Sequence, residues 1–377
     1  MSNKILGTIA VSFLFLSISF GQVASNEAIN YLNAGVDAFN KKNYVAAIQS
    51  YSSAIQTAPD YVKAYYNRAN TYLNIKKYDE AIRDYNQCIA IDKNFTKAYL
   101  YRGFIYAQKS DPPRALADYS TAISLEPDNA SALINRAVLY MQNERNSEAL
   151  ADLETALSTN PSNTSVLLNK AVVHEQLGQF EQSVFTLNQL ENYLPEDIRV
   201  FQMRGKNYLK LNDYSKAILD FSKAINMNPS DFENYYYRGY CKHLLENYNG
   251  ALADYKTVLE KKKNHLPTLK NQAYIASVLK DYETSVQAYS TILFYEPDNA
   301  NHYLSRSIAY INAAEYDKAL DDLDKCLDLK KDFAEAYYNK ATVYSRMEKM
   351  EEACKNIKQA AKLGYDPAYQ HVNSLCK

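Results

Sequence analysis

The sequence predicts an all-α chain, an α-solenoid (superhelix) of ten gapless 34-residue helix-turn-helix units with a short C-terminal capping helix. The first observation is the period itself, which runs from Ala28 to Pro367 without insertion or deletion. The second is a set of fixed residue types. With each window numbered 1 to 34, position 4 is large (Tyr31, Tyr65, Tyr99, Leu133, Leu167, Phe201, Tyr235, Leu269, Tyr303, Tyr337). Position 20 is small in every window, from Ala47 and Ala81 to Ala353, with Ser183 and Ser285 the two that are not Ala. Position 32 is Pro in six windows: Pro59, Pro127, Pro161, Pro195, Pro229 and Pro297. The third is spacing, since apolar residues at positions 4, 8 and 11, and again at 20, 21, 24 and 27, recur at helical intervals.

Taken in order, residues 1–21 precede the period and read as a signal peptide. Met1-Ser2-Asn3-Lys4 carries one positive charge, Ile5 to Phe20 is almost wholly apolar, and Ser19-Phe20-Gly21 offers small residues for cleavage after Gly21. A second possible cut follows Ala24. The apolar run is shorter than the roughly 20 residues a spanning helix needs, so no stable membrane span is expected once it is removed. The windows follow as one domain: 28–61, 62–95, 96–129, 130–163, 164–197, 198–231, 232–265, 266–299, 300–333 and 334–367.

Inside each window a polar stretch such as Lys76-Lys77-Tyr78-Asp79 separates the two apolar segments. In the third window it is Ser110-Asp111-Pro112-Pro113, where Asp suits an N-cap and Pro the first helical turn. The Pro at position 32 then stops the second helix. Each window is therefore a helical hairpin that cannot cover its own apolar face, and neighbours must stack. Residues 368–377 form an amphipathic cap at the place where another first helix would begin.

The period, and the order of a large residue, a small residue and a terminal Pro, resemble the tetratricopeptide repeat family. The resemblance implies that positions 2, 5, 9, 12 and 13 of each first helix line a groove where protein or peptide partners bind. Candidate groove residues are then Tyr66, Phe104, Tyr236, Tyr240, Tyr274 and Tyr338, with Tyr237 beside them. Basic candidates at the rim are Lys63, Lys97, Arg199, Lys206, Lys210 and Lys270. The family's clamp for a C-terminal carboxylate is missing. Lys270 is the only Lys at position 5, its window has Tyr274 at position 9, and no Arg stands at position 6.

Comparing windows with one another brings out a pairing. Arg at position 7 always comes with Asp at position 23: Arg68 with Asp84, Arg102 with Asp118, Arg136 with Asp152, Arg204 with Asp220, Arg238 with Asp254, and Arg306 with Asp322. The remaining windows have neither residue, which points to structural ion pairs internal to each hairpin. Windows five and eight, which lack the pair and carry Ser183 and Ser285, are expected to be the soft joints of the array.

Of 35 Tyr, those at positions 4, 11, 17 and 24 read as packing between helices. Cys88, Cys241 and Cys326 fall at small, buried positions. Cys354 replaces an aliphatic residue at position 21, Cys376 closes the tail, and an exported chain meets an oxidising compartment, so the two are expected to form a disulfide.

Catalytic and metal patterns are missing. The five His (His174, His243, His265, His302, His371) have no metal-ligand spacing, and neither a phosphate loop nor a GxSxG elbow occurs. No cofactor or metal is expected, and no enzyme activity. A formal net charge of −1 argues against nucleic acid as a partner. The resulting expectation is an exported scaffold, periplasmic or secreted, that binds a partner segment in its groove, with envelope association possible. Two alternatives stay open: a glycan- or cell-envelope-binding module, and a non-catalytic subunit of an envelope or secretion machine.

Overall fold

The computed structural model describes residues 24–376. The expected leader 1–21 and its first cleavage point therefore lie outside the described residues. Among those described, every regular element is an α-helix. The chain falls into two compact units, which meet in sequence at Pro161–Ser162. The first holds α1 (Asn26–Asn40), α2 (Tyr44–Thr57), α3 (Val62–Asn74), α4 (Tyr78–Ile91), α5 (Thr96–Gln108), α6 (Pro112–Leu125), α7 (Ala130–Gln142) and α8 (Asn146–Thr159). The second holds α9 (Thr164–Gln176), α10 (Phe180–Tyr193), α11 (Ile198–Lys210), α12 (Tyr214–Met227), α13 (Phe232–Leu244), α14 (Tyr248–Lys261) and α15 (Leu266–Val278). It continues with α16 (Tyr282–Tyr295), α17 (Ala300–Asn312), α18 (Tyr316–Leu329), α19 (Ala334–Arg346), α20 (Met350–Lys362) and α21 (Asp366–Leu375). Each unit is a stack of antiparallel hairpins, an all-α solenoid.

One turn is repeated at every hairpin. The residue at position 15 takes a left-handed backbone in each window, at Lys42, Lys76, Ser110, Glu144, Gly178, Asn212, Glu246, Lys280, Ala314 and Glu348. The amide at position 16 then reaches back five residues, as in Asn43 N to Ala38 O (2.9 Å) and Asp281 N to Ala276 O (2.8 Å). This is the Schellman arrangement, which satisfies helix-end carbonyls. It favours glycine, yet only Gly178 is one. The turn is thus imposed by docking of the second helix against the first and not by turn chemistry. Several second helices are then capped by position 16 itself: Asn43, Asp111, Asp213, Asn247 and Asp281 accept a bond from the amide three residues on.

The core of each hairpin is made by positions 8, 20 and 24. Position 20 is fully buried in every window, because the two helices cross there. The position-24 rings of Tyr51, Tyr119, Phe221 and Tyr255 lie over Gly35, Gly103, Gly205 and Gly239. A Cβ on Gly239 would stand 2.8 Å from the Tyr255 ring, and one on Gly35 2.4 Å from Tyr51. Leu153, Leu187 and Leu323 at position 24 meet the larger Ala137, Ala171 and Ser307 at position 8, whereas Tyr85 and Tyr289 are accommodated beside Ala69 and Ala273.

Candidate functional site

The position-7 arginines are joined to the position-23 aspartates by two-pronged bonds. In the second window Arg68 Nε donates to Asp84 Oδ2 and Nη2 to Oδ1, both at 2.8 Å. Asp118 accepts from Arg102 in the same way at 2.8 and 2.6 Å, and Asp152 from Arg136 at 2.8 and 2.7 Å. Asp220 accepts from Arg204 at 2.9 and 2.8 Å. Asp254 accepts from Arg238 at 3.0 and 2.6 Å, and Asp322 from Arg306 at 2.8 and 2.7 Å. All six aspartates are buried. Five of the arginines lie beside the position-4 ring of their own helix, 5.5 Å from Tyr99 in the case of Arg102, and Arg136, which follows Leu133, lies beside Tyr140.

All six pairs are internal to their hairpins, as expected, and each arginine makes one further bond that the pairing pattern did not foretell. The remaining arm, Nη1, reaches position 25 of the preceding hairpin: Arg68 to Ser52 Oγ (2.8 Å), Arg102 to Asn86 Oδ1 (2.6 Å), Arg136 to Ser120 Oγ (2.9 Å). In the second unit Arg204 meets Asn188 (2.6 Å), Arg238 Ser222 (3.2 Å) and Arg306 Ser290 (2.9 Å). Asp84, Asp118, Asp152, Asp220, Asp254 and Asp322 thus each orient an arginine that fastens two hairpins together. The physical reason is donor count, since a two-pronged carboxylate leaves one arm of the guanidinium still needing an acceptor.

Two of the aspartate sites carry further charges. Asp254 also accepts from Lys242 Nζ of its own hairpin at 2.8 Å, so that carboxylate balances two cations. Arg204 also holds Glu191 at 2.5 Å; burial works against its charge, yet Asp220 and Glu191 keep the guanidinium above its ordinary value. The signal for the third partner was in the sequence one window back, because Ser or Asn at position 25 precedes every Arg at position 7. Asp324 likewise precedes Lys340 and pairs with it.

Windows five and eight, which lack the pair, carry hydroxyl bonds at position 20. Ser183 Oγ donates to Ala171 O (2.9 Å) and accepts from Asn207 of the next hairpin (2.8 Å), while Ser285 bonds Ser277 at 2.9 Å. Window eight has Gln272 and Ala288 at positions 7 and 23, and an open cleft of about 310 Å³ lies there, lined in part by Leu259 and Leu269.

The aromatic candidates divide by exposure. Tyr66 is half-buried among Tyr85, Phe95 and Tyr101, and Tyr236 among Tyr237, Tyr240, Tyr255 and His265. Tyr237 stacks on Phe221 at 5.4 Å, and Lys206 Nζ stands 5.0 Å from the centre of its ring. Tyr338 meets Tyr365 and His371, at the start and on the body of the tail helix. These rings hold neighbouring hairpins together and offer a partner only an edge. Tyr274 (54 % exposed) and Phe104 (37 % exposed) are the more open of the candidates. Phe104 borders a cavity of about 200 Å³ with Leu73, Leu100 and Tyr101. Lys210 and Lys270 are exposed, whereas Arg199 is occupied by Asp197 at 2.5 Å.

Comparison with known proteins agrees with this geometry. Tetratricopeptide-repeat family models match residues 62–95, 103–172, 141–206, and 198–231 with 334–363. The chain belongs to the tetratricopeptide repeat family. Among solved structures it is similar to the C-terminal part of a tetratricopeptide-repeat protein from Cytophaga hutchinsonii. That match has 18 % identity and a TM-score of 0.57, covering 64 % of this chain and 98 % of the other. It is also similar to a tetratricopeptide repeat protein from Parabacteroides merdae, with 20 % identity, a TM-score of 0.48, and 66 % and 98 % covered. No curated protein matches the chain in sequence. Proteins of this family are generally non-catalytic scaffolds that bind protein or peptide partners.

On the tenth repeat, α21 covers the outer side. Ala368, Val372 and Leu375 pack on Ala341, Ile357, Ala360 and Ala361. A disulfide joins Cys354 on α20 to Cys376 after α21, with Cα atoms 4.9 Å apart. The other three cysteines are free and buried, and burial pushes the thiols of Cys88 and Cys241 up to about 12 and that of Cys326 up to about 11. Among the described residues no His/Cys/Asp/Glu group is arranged to hold a metal ion, and no helix is long and apolar enough to cross a membrane.

Proposed function

We propose that this chain is an exported scaffold whose repeats hold an extended segment of a partner protein along their first helices. The observation that carries the reading is the exposure of Tyr274 and Phe104 on α15 and α5, among groove candidates whose other rings, Tyr66, Tyr236, Tyr237 and Tyr338, are spent on packing. Aromatic anchors of this kind dominate binding once a partner desolvates them. Export is supported by the apolar run Ile5 to Phe20 and by the Cys354–Cys376 bond, which suits an oxidising compartment such as a periplasm or the extracellular space. Envelope association is compatible with the same reading.

The test is affinity capture from the exported fraction, with the native chain compared against Phe104→Ser/Tyr274→Ser. A protein retained by the native chain and lost by the variant supports the scaffold. Material that survives protease digestion and is removed by glycosidases would point to the glycan-binding alternative. That alternative draws on the exposed ring of Tyr274 as a surface for a sugar ring.

A further inference from the structure

In the first unit α3 and α5 enclose a cavity of about 370 Å³ lined by Lys63, Tyr66, Asn67, Asn94, Phe95, Thr96, Lys97 and Glu126. Its apolar side is made by Tyr66 and Phe95, whose rings meet edge to face at 5.3 Å. Lys63 and Lys97 occupy position 2 of consecutive repeats, and both are exposed. Among the described residues neither lysine is paired with a carboxylate. The one acid in the lining, Glu126, accepts a bond from Asn129 Nδ2 at 2.8 Å. Two ammonium groups thus flank a small concavity with an aromatic floor and a surplus of one positive charge, on a chain whose formal net charge is −1.

We infer that this cavity receives an acidic side chain of the bound protein segment, an Asp or Glu next to an aromatic or aliphatic residue. The inference rests on the scaffold reading and names the partner's chemistry at one place. A carboxylate between Lys63 and Lys97 relieves their mutual repulsion and accepts hydrogen bonds from both. The adjoining apolar side chain covers the Tyr66 and Phe95 rings, which keeps water from weakening the ion pair. An extended polyanion is disfavoured, because the local surplus is small and the chain as a whole is near neutral.

The experiment selects phage-displayed random peptides on the full chain, then titrates a recovered, fluorescein-labelled peptide by anisotropy. The expected peptides carry Asp or Glu beside an aromatic or aliphatic residue. Their affinity should fall about tenfold on Lys63→Gln/Lys97→Gln and be retained on Lys63→Arg/Lys97→Arg, with all unfolding midpoints alike. Rising NaCl should weaken binding to the native chain more than to the Gln variant. Recovered peptides with no acidic preference, or equal affinity for native and Gln variants, overturn the inference. If such peptides still depend on Phe104 or Tyr274, the scaffold reading survives without it. Recovery of no peptide, or binding of a single-stranded oligonucleotide instead, removes both.

Discussion

Arg68 Nη1 donates to Ser52 Oγ at 2.8 Å, sixteen residues back and one hairpin earlier, while its other two arms hold Asp84. A helix-to-helix ion pair thereby becomes a link between repeats, and five other arginines do the same. The Asp carries the larger share of the energy. With Arg102 only 18 % and Asp118 only 7 % exposed, Asp118→Ala strands a buried guanidinium and should cost about 3–5 kcal/mol. Ser120→Ala, at the other arm of Arg136, should cost about 1 kcal/mol. Urea unfolding measures both, and near-neutral effects with no coupling in a double-mutant cycle would contradict the fastening role.

The junction of windows seven and eight lacks all three members of this device: Lys256 stands at position 25 of window seven, and Gln272 and Ala288 at positions 7 and 23 of window eight. Installing them together, as Lys256→Ser/Gln272→Arg/Ala288→Asp, fills the cleft beside Leu269. Gln272→Arg and Ala288→Asp alone should each destabilise, and the pair should recover about 1–3 kcal/mol of coupling. Additive losses on combination would show that the junction has a different shape.

The left-handed turn residue offers a test with two signs. Ala314 has φ 59°, a conformation that costs a residue with a Cβ about 1–2 kcal/mol, whereas Gly178 already avoids it. After subtracting the greater freedom glycine has when unfolded, Ala314→Gly should gain roughly 0.5–1 kcal/mol, and Gly178→Ala should lose a similar amount. Thermal midpoints that move in the same direction for both would refute the argument.

Burial lowers the pKa of His243 and His265, so the folded chain binds fewer protons there than the unfolded chain. Stability from these two groups is present above the ordinary His value near 6.5 and is lost as pH falls through it. The melting temperature should therefore drop between about pH 7 and pH 5. His243→Gln/His265→Gln should flatten that drop, whereas an unchanged pH profile would assign it to other groups.

Thiol chemistry tests the cap. A thiol reagent should find no reactive cysteine in the native chain and three after unfolding without reductant, since Cys88, Cys241 and Cys326 are buried and Cys354 is bonded to Cys376. Cys354→Ser/Cys376→Ser should cost about 3 kcal/mol in the loop-entropy estimate and speed hydrogen exchange first in α21. Protection in α21 equal to that of the native chain would mean packing alone holds it.

The architecture was legible in the sequence because it depends on local, repeated information. A hairpin needs only its apolar period, its small crossing residue and its stop, and Ala28 to Pro367 supplies these ten times over. The register of Arg68 with Asp84, repeated down to Arg306 with Asp322, was legible for the same reason, as both residues recur at fixed places in one window. What only the tertiary structure decided concerns surfaces brought together from different windows. Ser52 and Arg68 look unrelated until stacking sets one beside the other. Exposure was decided there too. Tyr66 and Tyr236 share the first-helix face with Phe104 and Tyr274, yet the first two are half-buried and the latter two exposed. Periodicity names the face on which a ring stands. How much of that ring meets water depends on the size of the residues that the next hairpin packs over it.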